Sequence, residues 1–181
     1  MIDTTERPSP AHALEAAFRA ILQRQMHDMP MTNPALSVEA VGFRRWSDHW
    51  LGILVTPWFM NLVLMPRVAA KWHPIDERET RHYVLPAGVF EFIGAHHPAL
   101  GDYQACSLFS PMFDFADHAG ARATAVAALD ALFDISNREA GEALTPPGAV
   151  ADAAISATPA ARAVSKRDFL FGATPRAEHG P

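Results

Sequence analysis

Apolar residues follow two different periods along this chain, and the change of period divides it. Near the start, Leu14, Phe18, Ile21, Leu22 and Met26 recur every three or four positions, which is one face of an amphipathic helix. Ser9-Pro10 suits an N-cap followed by a first helical position, and Pro30 with Asn33-Pro34 disfavours continuation. The pattern predicts a helix over about residues 10–28. From Val38 the texture is that of strands. Val41 and Phe43 predict the first, although Arg44-Arg45-Trp46 blurs the alternation, and Ser47-Asp48-His49 supplies a turn. The longest apolar run then extends from Trp50 to Pro66, broken at Thr56-Pro57. Proline cannot donate to a ladder, so the run predicts two strands or one sharply bent strand. Strict alternation puts Trp58, Met60, Leu62 and Leu64 on one face and Phe59, Val63 and Met65 on the other. Both faces are apolar, which implies a central strand or an interface.

A polar loop containing Lys71, Asp76, Glu77, Arg78, Glu79 and Arg81 separates this run from further strand patterns around Tyr83-Val84, Val89 to Ile93, and Tyr103 to Phe109. Strands joined by short turns favour antiparallel pairing. A second helix is expected from about Asp114 to Phe133, so rich in Ala and Val that it should pack across the sheet. The chain is thus read as an α+β domain over residues 1–140, with an antiparallel sheet of about five strands between an N-terminal and a C-terminal helix. Residues 141–181, rich in Ala, Pro, Gly and Thr, read as a flexible linker and C-terminal tail. That tail carries a compact basic-then-aromatic patch, Lys166, Arg167, Phe169, Leu170 and Phe171.

With 181 residues the chain can bury a core without staples. Fifteen Lys and Arg against 20 Asp and Glu, with no dense basic stripe, argue against a nucleic-acid partner. A single cysteine, Cys106, excludes an internal disulfide and any CxxC-based metal or iron–sulfur site, and suits a reducing compartment. The N-terminus lacks a secretory pattern and the long apolar run is interrupted, so a cytoplasmic protein without membrane insertion is expected.

Nine histidines raise the question of a metal. His96 and His97 are adjacent, so on extended backbone they point apart, and no HxxxH or carboxylate partner stands at ligand spacing. No metal and no cofactor is expected. His27-Asp28 reads as a helix-end pair. Cys106 could be a nucleophile only with a histidine brought beside it in space; an inert core thiol is the competing reading. Nucleotide-binding and acyl-transfer motifs are missing, so no catalytic residue is assigned. An apolar groove using Trp50, Thr56, Pro57, Trp58 and Met60, with Tyr103 at its rim, would serve as a partner-binding surface, the competing reading being that these residues are core. The tail's Ser165-Lys166-Arg167-Asp168-Phe169-Leu170 is similar to the Ser-Arg-Arg-x-Phe-Leu core of a twin-arginine export signal, displaced to the wrong end of the chain. It reads as a terminal anchor or as a mimic of a partner's signal peptide.

Taken together, Met26-His27-Asp28, Trp50-x-Gly52, Thr56-Pro57-Trp58, Leu85-Pro86-x-Gly88, Tyr103-x-x-Cys106-Ser107-Leu108, Ser110-Pro111 and Arg167-x-x-Leu170-Phe171-Gly172 resemble, in order, the HybE/HupJ/HoxT family of nickel-iron hydrogenase assembly chaperones. The CxxC pairs of members with a fused rubredoxin domain are not present. The resemblance implies a non-enzymatic cytoplasmic accessory protein. It would bind a hydrogenase precursor subunit before export, the small subunit or its twin-arginine signal peptide, or another maturation factor. Two other readings stand beside it: a small-ligand-binding protein or thiol-dependent enzyme using Cys106, and a structural interaction subunit.

Overall fold

The computed structural model describes residues 6–138, so the 141–181 segment and its basic-aromatic patch lie outside the described residues. Helix α1 runs Ala11–Ile21 and continues as a π-helical turn over Leu22–Met26, ending close to where the proline signals place it. Pro10 rather than Ser9 occupies the cap position, and the Ser9 hydroxyl reaches only the Ala11 N–H, at 3.5 Å. Six strands follow: β1 Glu39–Trp46, β2 His49–Val55, β3 Met60–Pro66, β4 Thr80–Leu85, β5 Gly88–His97 and β6 Gly101–Phe109. Helix α2, His118–Phe133, starts four residues later than its apolar pattern suggests. The Asp117 side chain accepts the Gly120 N–H at 2.7 Å and sets the start as an N-cap.

Among the described residues the six strands pair antiparallel throughout, in the order β1-β2-β3-β6-β5-β4. Two three-stranded meanders are therefore joined through β3 and β6, while β4 is carried to the far edge by the polar loop that follows Pro66. Thr56-Pro57 divides the apolar run as its proline requires, into β2 and β3. Both lie inside the sheet, with both faces covered for much of their length.

On one face, α2 packs Ala121, Ala125, Ala128, Leu129 and Leu132 onto Leu51, Ile53, Val55, Met60, Leu62 and Leu64. The alanines bring the helix close, and full burial of Leu129 and Leu132 contributes about 1.5–3 kcal/mol each. Glu39 of β1 fixes the helix start, accepting from Arg122 Nε at 2.9 Å and lying 2.8 Å from His118 Nε2. On the other face, Leu14, Ala17 and Phe18 of α1 cover Leu54, Val63 and Met65. Asn33 ties the remaining loops together. Its side-chain amide donates to the carbonyls of Met112 and Phe115, at 3.0 and 2.8 Å, and its N–H donates to the Pro57 carbonyl at 2.8 Å.

Candidate functional site

The two helices do not cover the sheet equally. On the α1 face, cover reaches β1, β2 and β3 and the His97 end of β5, and among the described residues the rest of β5 and β6 stays open. Small side chains on these strands, Ala95, Ala105 and Ser107, leave a depression between the helix and the open strands. It has a volume of about 230 Å³, walled by Phe18 and Phe59 and floored by Val63 and Ala105, with Tyr103 and Ile93 along its sides. The strand register accounts for the gathering: Val63 stands opposite Ala105, and Ala105 opposite Ile93, so all three share a face. Phe18 and Phe59 pack edge-to-face with centroids 5.8 Å apart, the arrangement aromatic pairs prefer. Ile93 is 46% exposed, the one exposed large hydrophobic among the described residues that lies in a strand. Asn61 adds one polar feature, since its buried Oδ1 has no hydrogen-bond partner among the described residues. Burial raises the Tyr103 hydroxyl above its ordinary pKa, and the nearby Glu77 carboxylate pushes the same way.

The six residues expected to form one surface are divided by the fold. Tyr103 lines the depression, and Trp58 stands against its wall, with its ring centroid 5.6 Å from that of Phe59. Trp50 is on the same face but committed to packing: its indole N–H donates to the Arg7 carbonyl at 3.0 Å, and Arg45 lies over its ring. Thr56 and Pro57 are buried. The Thr56 hydroxyl accepts from the N–H groups of Trp58 and Phe59, at 3.3 and 2.9 Å, and donates to the Phe59 carbonyl at 2.9 Å, so it shapes the β2–β3 turn. Met60 is fully enclosed on the opposite face with Leu62 and Leu64. Trp58 does not share its face, as strict alternation would have it; it packs with Phe59 and Val63, because the turn re-aims it before β3 begins. Phe18, Phe59, Ile93 and Ala105 were not expected from the sequence as site residues, Phe18 and Phe59 being placed only on apolar faces. Only Ile93, an isoleucine in a strand whose neighbours on the same face are polar or small, offered a signal.

The other candidates resolve as follows. Cys106 is 1% exposed, on the α2 face of β6. His96 and His97 point apart as expected: His96 Nδ1 lies 2.7 Å from Asp102, while the His97 ring stacks on Phe18. His27 and Asp28 pair at 2.8 Å on the surface. Among the described residues no group of three or more His, Cys, Asp or Glu side chains is placed to hold a metal ion, and no helix is long and apolar enough to cross a membrane.

Comparison with known proteins gives a consistent answer. The family model described as NiFe-hydrogenase assembly, chaperone, HybE matches residues 9–172. Protein HoxT of Cupriavidus necator is 42% identical over 176 residues, covering 88% of this chain and 86% of that protein. The hydrogenase expression/formation protein HupJ of Bradyrhizobium diazoefficiens is 40% identical over 159 residues, covering 88% and 85%. The solution structure of HybE from Escherichia coli shares the fold, with a TM-score of 0.58 at 24% identity over 88% of this chain and 93% of that one. The matched region begins just ahead of α1, includes both walls of the depression and continues to the terminal aromatic patch. The chain belongs to the HybE family of nickel-iron hydrogenase assembly chaperones.

Proposed function

We propose that this chaperone acts in the cytoplasm, without catalysis, by holding the precursor of a nickel-iron hydrogenase small subunit before export, and that the depression between α1 and the β5–β6 strands receives an apolar segment of that precursor, its twin-arginine signal peptide included. The observation that carries this reading is an apolar groove walled by aromatics, on a face that among the described residues the helices leave uncovered. At about 230 Å³ it is smaller than the usual small-molecule pocket, and it suits side chains of a peptide laid across it. Burial of Cys106 weighs against a thiol enzyme, since a reactive thiolate needs an accessible, polar setting. The apolar run from Trp50 to Pro66, which first suggested a permanent interface, is largely consumed by α1 and α2.

Calorimetric titration of the full chain with a small-subunit precursor, with and without its signal peptide, tests this. Saturable binding is expected, weakened roughly tenfold by Ile93→Glu, which corresponds to about 1.4 kcal/mol. Dependence on the signal peptide would place the contact there, and signal-independent binding would place it on the subunit body. No binding to either form would overturn the small subunit as client.

A further inference from the structure

We propose that the groove between α1 and the β5–β6 strands is the seat of the chain's own segment Lys166–Phe171, which a client must displace. The docking half stands on the groove and the sequence alone; the displacement half rests on the function proposed above.

Four observations select this occupant. The first is chemistry. In an extended conformation, Phe169-Leu170-Phe171 would direct both rings to one side, and the groove offers them the Val63 and Ala105 floor and an Ile93 that among the described residues is left 46% exposed. The second is charge. Glu77, whose carboxylate acts on Tyr103, bridges to Gly94 at the β5 side of the groove, and Glu91, with its Oε2 3.4 Å from His82 Nε2, stands two residues before Ile93 on the same face. Lys166 and Arg167 directly precede the aromatic group, and residues 162–181 hold four Lys or Arg against two Asp or Glu on a chain whose net charge is -5. The third is an orphan acceptor. Asn61 Oδ1 is buried in the groove without a partner among the described residues, and a peptide supplies N–H donors that a purely apolar ligand would not. The fourth is reach. Lys166 follows Arg138 by 28 residues, a span of up to about 95 Å at roughly 3.4 Å per residue, against a radius of about 14 Å for a domain of this size. Arg138 itself is held at the β4–β5 turn, where its Nε donates to the Pro86 carbonyl at 3.1 Å, on the half of the sheet that carries the open face. Tethering gives the segment an effective concentration in the millimolar range, so a weak intrinsic affinity is enough to keep the groove filled.

The test uses the full chain. A nitroxide is attached at Ser165→Cys, with Cys106 sealed in the core, and amide signals are observed by NMR. Broadening at Ile93, Ala95, Tyr103 and Ala105, relieved by Phe169→Ala with Phe171→Ala, is the expected result. The thermal midpoint of the double variant, measured alongside, is expected to match that of the wild type. Broadening confined to α2 or to the free edge of β1, or unchanged in the double variant, would overturn the docking. A mixture of spin-labelled and isotope-labelled copies should show no effect; broadening between copies would make a second molecule the occupant and overturn it equally. For displacement, the double variant should bind the small-subunit precursor roughly tenfold more tightly, as expected if the groove is about 90% occupied. Equal affinities would overturn displacement while leaving the client intact. Failure of both proteins to bind the precursor would overturn the client reading and, with it, displacement, while docking would still be judged by the NMR result.

Discussion

Thr56 shows how far a residue's role depends on what surrounds it. Its place between a strand and a proline is visible in the sequence, but whether its hydroxyl faces a partner or the protein's own backbone is not. The structure buries it and gives it three backbone hydrogen bonds across the turn. Thr56→Val keeps the shape and removes the hydroxyl, leaving two part-buried N–H groups without their acceptor, and should lower unfolding stability by about 1 kcal/mol or more in a urea titration. His49 is a second case. It is enclosed by the rings of Trp46, Trp72 and Tyr83, and burial holds its pKa below the ordinary histidine value, with Arg67, Arg81 and His73 acting the same way and Asp48 opposing them. A base depressed in the folded state is protonated more readily in the unfolded one. Its contribution to stability is therefore fully present above about pH 6.5 and declines as pH falls toward the folded pKa. Urea midpoints measured from pH 7.5 to 5 should fall less steeply for His49→Gln than for the wild type. Glu39, held low by Arg122 and His118 against the opposing effect of burial, loses its contribution only below about pH 4.5 and so does not confuse that window.

At the scale of elements, the local rules worked where a single feature decides. Proline at position 57 splits the apolar run, prolines close the first helical segment, and hydrophobic alternation finds β4, β5 and β6. They failed at boundaries set by side-chain contact. The start of α2 waits for the Asp117 cap, and the β2–β3 turn rotates Trp58 off the face its strand parity assigns. Gly52 illustrates a packing requirement that no periodicity carries: the Phe43 ring from the neighbouring strand lies so close that an added Cβ would approach Phe43 carbons at 2.4–2.7 Å. Gly52→Ala should therefore cost roughly 1–3 kcal/mol through displacement of that ring. Phe43→Leu, which vacates part of the space, should recover some of the loss when combined with it; strictly additive effects on the thermal midpoint would refute the steric explanation.

Across the whole molecule, the division of labour lies between two faces of one sheet. Among the described residues, the α2 face is a closed core that buries Cys106, Met60 and Leu62, and the α1 face is closed over β1 to β3 and the His97 end of β5. Ile93→Glu should accordingly leave the thermal midpoint within about 2 °C of the wild type, because the side chain is already half in water, while weakening partner binding. A large loss of stability would show that Ile93 is core and that the groove is not a surface. The sequence by itself determined the fold class, the proline-divided apolar run, the two helices and the family, because each is written in local periodicity or in short motifs whose order survives without coordinates. Only the tertiary structure decided that β6 joins β3 and sends β4 to the far edge, that Met60 and Tyr103 belong to opposite faces, and that Phe18, Phe59, Ile93 and Ala105 meet. Strand order and helix coverage depend on contacts between residues far apart in the chain, and alternation states that two faces exist without saying which one a helix will cover.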